Sequence, residues 1–498
     1  MKKIISLLLS FITLFTISIS PVFATENQNE ILFDLYSTVY NYGEAVDKIV
    51  LYTDDLTIDE TSLSTDMFKV YATATTPYTD DNIINMIESD GLVHCGLYDN
   101  VERTVKQVSF VEGNIILDLY TTKDSAGQST LDFTANFETL KGCNLSLDIS
   151  YRIELIEPLK LLDGTSIRNT DVIFYQNGDV KNDEIAKFTS GEYDGLKYQL
   201  YTPDNANDGN NHPLIVWLHG GESGYKGILY NNVSQLKANR GAVTFATDEA
   251  QEIFRGAYVL APQVPDEWSE HLIDTKELID KIIADYQLDS DRIYVYGCSA
   301  GGYMALDLAV HNPNFFAAVV ATCPAIDQSN IDAYGEGRII TDEEIMTLKD
   351  TPIWLVQSKN DGTVKYEEAA LRVYNLLKDV NKNAILTAYD VVQVGDEVYS
   401  GGHESWVYTA LNMPEYNGEH LWQWTARQVL IADEAVIDTP NEIQPVDNNN
   451  ASDMPATSVK TGDSVSYTLY LILLSISGCY LIHNSFKKII LKCNKTAN

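Results

Sequence analysis

Apolar residues are spaced differently in successive stretches of the chain, and the spacing divides it before any motif is considered. From about Asn29 to Glu157, short runs rich in Val, Ile, Tyr, Phe and Thr are parted by Asp, Asn, Gly and Ser. Asp47 to Thr53, Phe68 to Ala74, Thr104 to Phe110, Asn114 to Tyr120 and Ser146 to Tyr151 are of this kind, several with strict alternation. Runs of period two and this length make strands with one buried face. Residues 29–157 are therefore expected to form an all-β sandwich of immunoglobulin-like type. No nucleophile stands beside a base there, so an accessory or structural role is expected, with carbohydrate binding as the alternative.

After a stretch rich in Asp, Asn and Thr, expected as a connector over 158–187, the pattern changes. In 188–432 near-continuous apolar runs alternate with segments of helical spacing, as in a mostly parallel sheet flanked by helices. Strands are expected at Pro213–Leu218, Ala257–Ala261, Arg292–Tyr296, Ala317–Ala321, Ile353–Gln357 and Ile385–Tyr389, buried on both faces. Helices are expected within Ile273–Tyr286, Ala300–Val310, Tyr366–Leu377 and His420–Ile431. Residues 433–463, without period and rich in Asp, Asn, Pro, Thr and Ser, are expected to be a flexible spacer.

The two ends carry apolar runs of another kind. Lys2-Lys3, the run Ile4 to Ile19 and the small-residue end Pro21 to Ala24 have the order of an export signal, with residues 1–24 removed. In 464–498, the run Tyr467 to Ile482 precedes Lys487, Lys488, Lys492 and Lys495, and should hold the chain at the cell surface. At about 1.5 Å per residue this run spans roughly 24 Å, short of a hydrocarbon core of about 30 Å unless flanking residues help. Before it, Val459-Lys460-Thr461-Gly462-Asp463 resembles the cell-wall sorting signal of Gram-positive surface proteins, with Val459 where Pro is usual.

A formal charge of −37 argues against nucleic acid or an anionic bilayer as a partner through the general field. Outside the tail four cysteines remain, and Cys95 with Cys143 and Cys298 with Cys323 are the pairs to test in an oxidising compartment.

Chemistry concentrates in 188–432. Tyr294-Val295-Tyr296-Gly297-Cys298-Ser299-Ala300-Gly301-Gly302 is a strand running through Gly-x-Ser-x-Gly into a helix. A serine hydroxyl is a weak nucleophile unless it stands on a tight turn beside a base, and the glycines let strand and helix approach. Such an elbow calls for an acid after a later strand and then a histidine. Asp361, in Asn360-Asp361-Gly362-Thr363, follows the strand ending at Gln357; His403, in Gly402-His403-Glu404-Ser405-Trp406, follows the last strand. His420 precedes a helix and is read as a capping or surface residue. His212, His271 and His311 fall outside this order, no spacing among them suggests a metal site, and the chemistry calls for no cofactor. Trp217-Leu218-His219-Gly220-Gly221-Glu222 should supply an oxyanion-binding loop, one donor being the N–H of Ala300 and the other that of Gly221 or Gly220. His219 is expected to hold this loop by a hydrogen bond, and Trp268 is a candidate wall of the substrate pocket.

Together with Ala261-Pro262-Gln263 and Asp291-Arg292-Ile293-Tyr294, these motifs make residues 188–431 resemble the bacterial secreted esterases and predicted peptidases related to feruloyl esterases and polyhydroxybutyrate depolymerases. Members with an added amino-terminal immunoglobulin-like domain are known. The resemblance implies an α/β-hydrolase fold and hydrolysis of carboxylic esters, with a small ester or an acylated polysaccharide as substrate. A serine peptidase of prolyl-oligopeptidase-like type and a surface-binding module that has lost activity are the competing expectations.

Overall fold

The computed structural model describes residues 29–53, 55–136, 141–221, 231–326 and 339–430. The expected export signal 1–24, Glu222, the spacer 433–463 and the apolar and basic tail 464–498 lie outside the described residues.

Eight strands make the sheet of the carboxyl-terminal unit: β1 (Phe188–Tyr193), β2 (Leu196–Tyr201), β3 (Leu214–Leu218), β4 (Tyr258–Gln263), β5 (Ile293–Cys298), β6 (Ala318–Thr322), β7 (Ile353–Ser358) and β8 (Ala384–Tyr389). They lie side by side in the order β1-β2-β4-β3-β5-β6-β7-β8. β1 and β2 form an antiparallel hairpin, β2 runs antiparallel to β4, and every later pairing is parallel. Every residue of β3, β5, β6 and β7 is buried, because helices cover both faces. Along β5, Ile293 and Val295 enter one core with Leu278, Ile282, Met304 and Leu308 of the helices Leu272–Tyr286 and Ala300–His311. Tyr294, Tyr296 and Cys298 enter the other, with Phe245, Phe254, Trp422 and Trp424. The six expected strands appear with ends shifted by one or two residues. The β1–β2 hairpin was not expected, because its polar residues mask the period.

The amino-terminal unit is β-rich. One sheet runs Val172–Gln176, Asn29–Tyr40, Gly43–Leu51, Asn114–Leu119, Val105–Val111; a second runs Asp148–Leu155, Phe68–Thr75, Tyr98–Arg103. They enclose a common core in which Phe33, Leu35, Ile49 and Leu117 meet Val70, Ala72 and Ile153. The region expected as a connector is part of this unit. Val172–Gln176 pairs in parallel with the start of Asn29–Tyr40, and Leu159, Ile167 and Val172 join the core. Its strand is five residues long between polar stretches, too short for the alternation to stand out. A helix, Asp81–Ser89, also departs from the all-β expectation; Asp80 caps it by accepting the N–H of Asn82 at 2.8 Å. Neither candidate disulfide, Cys95–Cys143 or Cys298–Cys323, is formed.

The two units meet through polar contacts around residues 231–246. Glu44, 3% exposed, accepts from Ser37 Oγ at 2.7 Å and Asn182 Nδ2 at 2.8 Å, and lies 3.1 Å from Lys237 Nζ across the junction. Burial pushes its carboxyl up, but Lys237 and the hydroxyl donors outweigh this and hold it below its usual value of 4.5. Arg240 bonds Glu184 at 2.8 Å, and Asn231 bonds Ser146 at 2.9 Å. Lys123 of the amino-terminal unit sits 5.6 Å above the ring of Tyr399, in the hairpin Val392–Val394 and Glu397–Tyr399 that leads to Gly401-Gly402-His403.

Lys237→Met strands a buried carboxylate, and removing one partner of such a pair costs about 3 kcal/mol or more. Chemical denaturation at pH 7 should show that loss. Since Glu44 is held below its ordinary value, its contribution is present above pH 4.5 and disappears as the pH falls through the folded value. The gap between variant and parent should therefore narrow toward pH 4.

Candidate active site

Ser299 lies between β5 and the helix Ala300–His311, with φ 53° and ψ −118°. A non-glycine residue there stores about 1–3 kcal/mol, so its surroundings must enforce the conformation. They do so from both sides. Ser299 N–H donates to Thr322 O at the end of β6 (3.0 Å), and Ser299 O accepts the N–H of Ala325 (3.0 Å). Strand and helix touch through bare backbone: a Cβ on Gly297 would stand 2.1 Å from Gly301 O, and one on Gly301 2.1 Å from Leu218 O.

Three residues from three different loops meet at this edge of the sheet. His403 Nε2 lies 3.0 Å from Ser299 Oγ, and His403 Nδ1 lies 3.0 and 3.1 Å from the two oxygens of Asp361. Asp361 follows β7 and His403 follows the hairpin after β8. The Asp361 side chain is fully buried, whereas that of His403 is 16% exposed, so the acid is sealed behind an imidazole that faces solvent. Asp361 Oδ1 accepts the N–H groups of Thr363 and Val364, both at 2.9 Å, and Oδ2 accepts Gln357 Nε2 at 3.1 Å. With the carboxylate accepting these donors, His403 Nδ1 must be the N–H and Nε2 the lone pair directed at the serine. The edge of the Trp406 ring abuts the imidazole, with centroids 5.3 Å apart.

Gly220 borders Ser299; a Cβ there would be 3.6 Å from Ser299 Cβ. Its carbonyl is held by His219 Nδ1 at 2.7 Å, while His219 Nε2 accepts the N–H of Val264 at 3.3 Å. Burial lowers His219 to about 4, so the ring is neutral at pH 7, with its proton on Nδ1. In a trans peptide the next N–H points opposite to the carbonyl, so this bond turns Gly221 N–H away from His219. Ala300 N–H stands at the positive end of a twelve-residue helix.

Trp268 requires a correction. It is 3% exposed and packed in the core, where its indole N–H donates to His219 O at 2.9 Å and its ring lies 4.7 Å from the imidazole. It supports the Gly220–Gly221 loop from behind as a packed core residue and does not stand as an exposed wall. Gln357 and the Thr363 and Val364 N–H groups escaped the sequence analysis. The one available signal was an amide at the end of an otherwise apolar strand. His420 bonds Asn412 O at 3.0 Å, remote from the three residues in its contacts.

Cys323 Sγ lies with the Asp361 and His403 ligand atoms within 4.8 Å of one another. The set does not suit a metal ion. Acid and imidazole are committed to each other, and burial together with the Asp361 charge pushes the thiol well above its ordinary value of 9.0, opposing the thiolate that a metal requires.

An eight-stranded sheet in this order, with a serine on a tight strand-to-helix turn after β5, an acid after β7 and a histidine after β8, has the arrangement of the α/β-hydrolase fold. The family described as putative esterase matches residues 194–415. Among curated proteins, pyrethroid hydrolase Ces2a of Mus musculus is 32% identical over 112 residues, covering 22% of this chain and 20% of that protein. S-formylglutathione hydrolase of Mus musculus is 25% identical over 146 residues, covering 26% of this chain and 51% of that protein. The chain thus spans from a fifth to about half of these relatives' lengths. Among solved structures, a thermostable esterase is similar with a TM-score of 0.61 and 23% identity, over 80% of this chain and 99% of that one. A match over 80% of the chain extends beyond the eight-stranded unit, so the likeness takes in the amino-terminal sheets as well.

Trp268→Phe keeps a six-membered aromatic ring but loses the pyrrole part of the indole and with it the hydrogen bond to His219 O. A bond of about 1 kcal/mol corresponds to roughly fivefold. The kcat for ester hydrolysis should fall by about that factor with KM unchanged, as steady-state kinetics would show.

Proposed function

We propose that this chain is an extracellular serine hydrolase that cleaves carboxylic esters through an acyl-enzyme. The observation that carries the reading is the contact of 3.0 Å between His403 Nε2 and Ser299 Oγ, with Asp361 bonded to the opposite nitrogen. Ser299 Oγ attacks the acyl carbonyl while His403 Nε2 takes its proton, and the negative charge on the carbonyl oxygen is met by the N–H groups of Ala300 and Gly221 or Gly220. Collapse of the tetrahedral intermediate breaks the bond to the leaving alkoxide, which receives that proton from His403. Water then enters, loses a proton to His403 and attacks the acyl-enzyme; the acid departs and Ser299 Oγ is reprotonated. No cofactor or metal takes part in this scheme.

The substrate we propose is an acyl ester carried by an extracellular polysaccharide, the kind of molecule too large to import. The export-type order at 1–24 and the apolar and basic order at 464–498 support attachment at the cell surface. The two packed sheets of the amino-terminal unit support reading it as an immunoglobulin-like accessory domain.

Two assays test the reading. p-Nitrophenyl acetate and methyl ferulate should be turned over at least a hundredfold faster than a peptide p-nitroanilide, and amide cleavage rivalling ester cleavage would establish the peptidase instead. Ser299→Ala should lower ester hydrolysis by about 10⁴-fold or more while leaving the melting temperature within a few degrees. Unchanged activity in that variant would rule out the mechanism.

A further inference from the structure

We infer that Gln357 is a positioning residue that tunes the proton affinity of the Asp361–His403 pair; this rests on the serine-hydrolase reading above. Gln357, fully buried at the end of β7, uses all of its amide. Nε2 donates to Asp361 Oδ2 at 3.1 Å and to Val364 O at 2.9 Å, while Oε1 accepts the N–H of Ala370 at 3.2 Å. One side chain therefore ties together the acid, the loop that follows it and the first residue of the helix Ala370–Leu377. The two ends of the loop are joined as well, since Thr363 and Val364 donate to Asp361 Oδ1. Rotation of the carboxylate would break bonds on both oxygens, and only Gln357 among the described partners serves Oδ2 besides His403.

The bond has an electrostatic consequence beyond geometry. A donor aimed at a carboxylate stabilises its charge and lowers its affinity for a proton. Asp361 and His403 share a hydrogen bond, so the charge that the carboxylate presents is felt directly by the imidazole. Removing one donor makes the pair take up a proton more readily, whichever partner holds it. The protonated pair lacks the basic Nε2 that Ser299 needs, so activity is lost at a higher pH. Among the described residues, the other titratable groups near the pair are the thiols of Cys323, beyond the end of β6, and Cys298, and the carboxyl of Glu404, the residue after His403. None of the three is removed by substitution of Gln357.

The test uses Gln357→Met, unbranched and of similar length, in the full chain. The acid limb of kcat/KM for p-nitrophenyl acetate should move upward by about half to one pH unit, and the plateau kcat should fall about tenfold with KM within twofold. A uniform loss at every pH with the limb in place would reduce Gln357 to packing and overturn the inference. A second measurement needs no variant: in wild-type protein carrying ¹⁵N-glutamine, the Gln357 side-chain amide proton should titrate with the same midpoint as activity. A flat amide signal would overturn the inference even if Gln357→Met did not fold. Fluorophosphonate labelling of the wild type separates the two levels: no labelling defeats the serine-hydrolase reading, whereas normal labelling with an unmoved limb defeats only the role of Gln357.

Discussion

The site depends on one steric constraint, the backbone of Ser299 held at positive φ between a strand and a helix that touch without side chains. Gly297 and Gly301 have no room for a Cβ, with backbone oxygens 2.1 Å from where each would lie. That closeness forces the sharp turn and brings Gly220 alongside Ser299. The hydrogen bonds to Thr322 and Ala325 hold the turn on the side of β6. Because the fold enforces the strained residue, the Ser299 hydroxyl is placed before any reaction begins.

Around that fixed point the polar groups form two chains. In one, backbone N–H groups and Gln357 hold Asp361, Asp361 holds His403, and His403 faces Ser299. In the other, Trp268 and Val264 hold a neutral His219, which holds the carbonyl of Gly220 and so directs the peptide to Gly221. Each ends in backbone or buried side chains, away from solvent. A preorganised site of this type works because its dipoles are set before charge develops. The junction with the amino-terminal unit approaches the first chain through Lys123 and Tyr399, one hairpin before His403.

Much of this was legible in the residues. β3 to β8 and the long helices announce themselves because burial on both faces or along one stripe imposes a plain apolar period. Ser299, Asp361 and His403 could be named from motif and chain order, since the fold dictates the strand after which each must come. What escaped depends on packing in three dimensions. Trp268 sits in a loop whose sequence cannot reveal whether an indole faces solvent or a histidine carbonyl. The strand Val172–Gln176 is recognisable only through its partner at Asn29–Phe33, more than a hundred residues away. Cys298 ends β5 opposite Thr322, and Cys323 is the next residue after β6, yet nearness along a sheet does not make a bond, and the two form no disulfide.

The most direct measurement is the mass of the adduct formed with a fluorophosphonate, located by peptide sequencing. The account predicts a single modified residue, Ser299, in the parent chain, and a labelling rate at least a thousandfold lower in His403→Ala. Modification of another residue, or undiminished labelling without His403, would contradict it.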